Sequence, residues 1–132
     1  MIEMTGVSHL ADRPFRKLSD GEKQRILFAR ALSQEPEILI MDEPMSYLDI
    51  KHKLEMLEIL KNLRSSKSLT VIMALHEASF AGKISDKILM LKDKKVFGYG
   101  KTEEVFTEDN IKRLYDLSDE GWAFINSGIV LE

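Results

Sequence analysis

Two strand-like segments, residues 37–41 with the apolar run Ile38-Leu39-Ile40-Met41 and residues 69–75, bracket a stretch whose apolar residues recur at helical spacing. Both runs are continuous rather than alternating, the pattern of strands too apolar to have one wet face. Between them Met56, Ile59, Leu60 and Leu63 share one side of a helix from 50 to about 64, and Asp49 stands where a cap is needed. Strand, helix, strand with buried strands closes as a right-handed parallel crossover. The class is α/β, with parallel strands and helices.

The first run ends in Asp42-Glu43-Pro44 and the second leads into His76. Charge at the end of a buried strand is poorly explained by folding alone, because such groups are normally paired, solvated or bound to a metal. Asp42 and Glu43 are therefore candidates for chemistry, beside the plain reading that both open a solvated loop. His76 reads equally as an ordinary residue at a strand end. His9 and His52 read as solvated, and the three histidines have no metal-ligand spacing.

Upstream, Ser19 and Glu22 have capping-box spacing, which predicts a helix from Asp20 to about Ser33. Gly21 lies in its first turn. A helix start with a small residue and free N–H groups is also an anion site, so the turn Ser19, Asp20, Gly21 and Glu22 carries a structural and a functional reading at once. Downstream of a short helix at 77–83, residues 87–91 and 95–99 flank Asp93-Lys94 as an antiparallel hairpin. Two short helices follow, at 102–106 and 108–117. Residues 122–125 and 129–131 flank Asn126-Ser127-Gly128 and read as a final hairpin.

Composition narrows the function classes. In 132 residues, 44% of them apolar, there is one domain at most and enough material for a core. The net charge of −3 gives no reason to expect nucleic acid as partner. Without cysteine, disulfides and thiolate metal sites are excluded. No stretch approaches the roughly 18–20 apolar residues of a membrane span, and residues 1–17 contain no apolar block of a signal peptide. The expectation is a soluble, cytoplasmic chain.

In order, Leu18-Ser19-Asp20-Gly21-Glu22, the strand ending in Asp42-Glu43-Pro44, Ser46-Tyr47-Leu48-Asp49 and the lone His76 resemble the second half of an ATP-binding cassette (ABC) ATPase. They match its signature motif, Walker B strand, D-loop and switch histidine, over about residues 7–117. The resemblance is closest to the ATPases of metal-chelate (iron-siderophore) and cobalamin importers. It implies an incomplete P-loop NTPase-type domain, ATP and Mg²⁺ as cofactors, and transport driven by hydrolysis. It implies that Asp42 holds Mg²⁺ through water, that Glu43 is the general base, and that His76 hydrogen-bonds the γ-phosphate. It further implies that the turn from Ser19 to Glu22 meets ATP held by a partner subunit, and that Asp49 lies along the dimer interface. Asp20 and Glu22 depart from the usual Gly and Gln, and two carboxylates suit a phosphate only if they turn away. Met45 replaces a common Thr.

The family's Gly-rich phosphate loop, G-x-x-x-x-G-K-[ST], is not matched in the sequence. Gly98-Tyr99-Gly100-Lys101-Thr102 supplies only its end, since Lys95 stands where the first Gly belongs. The resemblance thus places residues 1–35 at the end of the helical subdomain with the signature. Residues 36–101 become the core from Walker B to switch histidine, and 102–132 the C-terminal helices and hairpin. Expected partners are an N-terminal half or second ATPase subunit, a transmembrane permease and further copies of the chain, at the inner face of the membrane. Alone, the chain is expected to be inactive. An ATPase half of a chromosome-maintenance or repair protein, and a non-catalytic interaction fragment, are the alternatives.

Overall fold

The computed structural model describes residues 5–128. The chain divides into two compact units, Met1–His76 and Glu77–Glu132, and each is taken by itself.

In the first unit the capping box forms as its spacing requires. Ser19 Oγ accepts from the backbone N–H of Glu22 at 3.2 Å, and Glu22 Oε2 accepts from that of Ser19 at 2.8 Å. Helix α1 (Asp20–Ser33) starts there and buries Phe28, Ala29 and Leu32, spaced as one helical face. Val7, Leu10, Leu18 and Ala29 form a core cluster against Ile26. Burying a side chain as completely as Leu10 or Leu32 (each 1% exposed) contributes about 1.5–3 kcal/mol.

Strand β1 (Ile38–Asp42), helix α2 (Ile50–Lys67) and strand β2 (Thr70–Ala74) make the expected crossover. The strands pair parallel, Ile38 with Thr70 through to Asp42 with Ala74. Asp49 caps α2 by accepting from the N–H of His52 at 2.9 Å, and Met56, Leu60 and Leu63 are buried.

The expectation that neither strand has a wet face is corrected. Leu39 is buried, with Met41, Val71 and Met73 half-buried beside it, but Ile40 is 72% and Ile72 52% exposed. Among the described residues this sheet has two strands only. One face is covered, and the other stays open with Ile38, Ile40 and Ile72 on it. Continuous apolar sequence therefore records two faces fit for burial, of which this chain buries one.

The second unit opens with helix α3 (Ala78–Ile84), followed by a hairpin of β3 (Lys87–Lys92) and β4 (Lys95–Lys101) that turns at Asp93-Lys94. Both turn residues have positive φ, 50° and 61°. Short helices α4 (Thr102–Val105) and α5 (Glu108–Tyr115) follow, with Ile111 buried. Lys92 ties the hairpin to the end of α5, donating to the carbonyl of Arg113 and, at 2.6 Å, to Asp116. The incomplete phosphate-loop sequence is built into this scaffold. Lys101 pairs with Lys87 in the ladder, while Thr102 donates from its N–H to Asp86 and from its hydroxyl to Ser85.

The expected final hairpin is corrected as well. Helix α6 (Asp119–Gly128) takes up residues 122–125. Ser118 accepts from the N–H of Gly121 at 3.0 Å, and Asp119 and Glu120 occupy the first turn. A capped, acidic helix start outweighs the strand preference of one aromatic pair. Residues 129–131 lie outside the described residues.

Candidate nucleotide-facing site

Both clusters of candidate residues lie in the first unit. The first is at the carboxyl ends of the paired strands. Glu43 follows β1 and its N–H still donates to the carbonyl of Ala74 at 3.0 Å, so it continues the ladder by one bond. Its φ is +46°, a left-handed conformation that glutamate rarely adopts. His76 follows β2 by two residues, and its Nδ1 lies 2.6 Å from Glu43 Oε2. A carboxylate only accepts, so Nδ1 carries the proton. Ser46 Oγ is a more distant donor to the same oxygen, at 3.4 Å. Asp42 projects from the open face of β1 and is exposed.

The second cluster is a hollow of about 350 Å³ between the start of α1 and the loop before α2. Ser19, Asp20, Gly21, Glu22 and Asp49, all singled out in the sequence, line it with Arg25, Tyr47, Leu48 and His52. The two awkward carboxylates are engaged within their own helix turn and by basic side chains. Glu22 bonds the Ser19 N–H and, at 2.9 Å, Arg13, while Asp20 pairs with Lys23 at 3.1 Å. The Ser19 N–H is the main cause holding the Glu22 carboxyl below the usual range, with Arg13 adding to it. The Asp49 carboxyl is also held low, first by the His52 N–H. Glu43 and His76 do not line this hollow.

The sequence reading of His52 as solvated is corrected. Its ring joins Asp49 Oδ1 at 2.8 Å to Arg25 at 2.9 Å. The i, i+3 spacing from the cap residue Asp49 was the signal for it.

Among the described residues no group of three or more His, Asp or Glu could hold a metal ion. One exposed carboxylate at a strand end, Asp42, still suits Mg²⁺, which keeps waters and phosphate oxygens as most of its ligands.

A parallel crossover with acidic groups at the carboxyl ends of its strands is the arrangement of α/β ligand-binding proteins. Sequence comparison narrows this class. Residues 1–46 match the model of the ABC transporter family. An uncharacterised ABC transporter ATP-binding protein of Methanocaldococcus jannaschii is 42% identical over 87% of this chain and 40% of its own length. The iron(3+)-hydroxamate import ATP-binding protein of Bacillus subtilis is 37% identical over 90% of this chain and 44% of its own.

Solved structures agree. A metal-chelate type ABC transporter in an inward-facing conformation superposes with a TM-score of 0.79, at 33% identity, over 88% of this chain and 46% of that one. A dimeric ATP-binding cassette in a post-hydrolysis state with ADP and phosphate gives a TM-score of 0.67 at 30% identity, over 76% and 45%. The chain belongs to the ABC transporter ATP-binding domain family, and its fold is the P-loop NTPase type of that family. It spans less than half the length of these relatives.

Proposed function

We propose that this chain is the signature-to-switch part of an ATP-hydrolysing subunit that energises import of a metal chelate. One observation carries the reading most directly, the 2.6 Å contact of His76 with Glu43 at adjacent strand ends. Folding does not demand it, since an exposed pair of this kind is worth about 0–1 kcal/mol, yet it is held by a left-handed residue. Strained conformations of that kind cluster at working sites.

In this reading Glu43 is the general base that orients and polarises the attacking water. His76 holds the carboxylate and offers its ring to the γ-phosphate. Asp42 anchors Mg²⁺, which when bound neutralises charge on the transferring phosphoryl group. Ser19 and Gly21 face the phosphate of ATP held by a partner subunit, with the carboxylates of Asp20 and Glu22 drawn off by Lys23 and Arg13. Asp49 lies at the interface between subunits. The metal-chelate cargo is supported by the iron-hydroxamate relative and the metal-chelate type transporter. Partnership with a permease at the inner membrane face follows from the same likeness. Among the described residues no helix is long and apolar enough to cross a membrane.

Phosphoryl transfer rests on positioning and electrostatics, and the sequence holds no phosphate-loop match. The chain alone therefore turns over no ATP at a transporter-like rate, and a polypeptide carrying that loop completes it. The test is phosphate release by the pure chain, then with a loop-bearing half supplied. Activity is expected only in the second case. Glu43→Gln should abolish it while sparing nucleotide binding. Turnover by Glu43→Gln at the parental rate would overturn the assignment of the base.

A further inference from the structure

We propose that Arg25 is a positioning residue which, acting through His52, holds the loop at residues 46–49 against the turn Ser19, Asp20 and Gly21. The inference rests on the proposed function for its consequence, though not for its geometry.

Arg25 projects from α1, with its Nη1 2.9 Å from His52 Nε2. On the other side of the ring, His52 Nδ1 lies 2.8 Å from Asp49 Oδ1. A guanidinium has no acceptor and a carboxylate no donor. Both contacts are hydrogen bonds only when the ring is neutral with its proton on Nδ1. Arg25 then donates to Nε2, and Nδ1–H donates to Asp49. A doubly protonated ring would set N–H against N–H at Arg25. The same Oδ1 accepts the backbone N–H of His52, so one carboxylate oxygen receives both donors of one residue.

Arg25 is fixed from its far side also. Its Nη2 donates to the carbonyls of Gly6 at 2.8 Å and Thr5 at 3.3 Å. The guanidinium thus joins the segment before α1, α1 itself and the start of α2. The groups it aligns are already in contact, since a Cβ on Gly21 would come within 2.8 Å of the Tyr47 carbonyl oxygen. At that separation a small shift of Asp49 moves Tyr47 relative to Gly21, and both belong to the surface proposed to meet nucleotide.

The test uses the 132-residue chain with ¹⁵N-labelled histidine. Long-range ¹⁵N–¹H correlation spectra at neutral pH should show His52 protonated at Nδ1 and bare at Nε2. The opposite tautomer, or a doubly protonated ring, overturns the hydrogen-bond chain without any variant. In Arg25→Met Asp49 still holds the Nδ1 proton, so the tautomer should stay while Nε2 loses its donor and its ¹⁵N shift moves toward that of a free acceptor nitrogen. The Leu48 amide, bonded to the Met45 carbonyl, should then exchange about tenfold faster, as loss of one charged hydrogen bond implies. His52→Asn keeps a donor for Asp49 and removes the acceptor of Arg25, so it should move the Gly21 and Tyr47 amide shifts in the same direction. Unchanged exchange and shifts in both variants overturn the positioning role. None of these readouts involves ATP. A chain that passes them yet never supports ATP hydrolysis in a completed protein sinks the proposed function and leaves this inference standing.

Discussion

The carbonyl oxygen of Tyr47 stands 2.8 Å from the place a Cβ would take on Gly21. Gly21 has no positive φ among the described residues, so its lack of a side chain serves close approach rather than backbone conformation. Gly21→Ala should destabilise the chain by about 1–3 kcal/mol, because it forces two packed backbones apart. Urea unfolding measures this. A neutral substitution would show that the loop at 46–49 yields freely.

The hairpin turn invites the opposite experiment. Asp93 and Lys94 both sit at positive φ, the geometry that Asn-Gly adopts most readily. Lys94→Gly should stabilise the second unit by roughly 0.5–1 kcal/mol, since relief of the left-handed conformation exceeds the entropy glycine costs. Thermal unfolding decides it, and a lower midpoint would contradict it.

Acid should weaken the first unit through identifiable groups. The Glu22 and Asp49 carboxyls are held low mainly by the N–H groups of Ser19 and His52. A depressed folded pKa gives stability that is complete above the unfolded value, about 4, and lost as pH falls through the folded value. Urea midpoints measured downward from pH 7 should fall less steeply below about pH 4 in the Glu22→Gln, Asp49→Asn double variant than in the parent. Parallel curves would reject these two carboxylates as the source.

The open sheet face should make the isolated chain self-associate. Ile38, Ile40 and Ile72 lie on one exposed face of a two-stranded sheet, and unpaired strand edges recruit other chains. Light scattering after size exclusion should show mass rising with concentration. Ile40→Thr with Ile72→Thr should reduce it. A stable monomer at high concentration would refute this.

Periodic and capped segments were legible in the sequence. Ser19 with Glu22 gave the start of α1, and the helical spacing of Met56, Ile59, Leu60 and Leu63 gave α2. Three features were not legible, each for a physical reason. The wet face of β1 depends on what lies above Ile40, which composition does not encode. The helix through Trp122 turned on a serine cap that a pattern of strand-forming residues concealed. His52 could not be linked to Arg25 because the two are 27 positions apart. The contact of Glu43 with His76 spans 33 positions. It was approachable because parallel pairing brings both strand ends to one edge.

Helix α2 has one further consequence, which is mechanical. Its 18 residues form a rod roughly 27 Å long, pinned at its first turn by Asp49 and His52 and leading at its last turn into the start of β2 at Thr70. A sideways displacement of 1 Å at the pinned end is a tilt of only about 2° over that length. Such a rod transmits tilt rather than absorbing it. The first turn of α2 follows the carboxyl end of β1, so the angle at which Asp49 and His52 hold this rod is set on the same side of the sheet as Glu43, and its far end leads only to the start of β2.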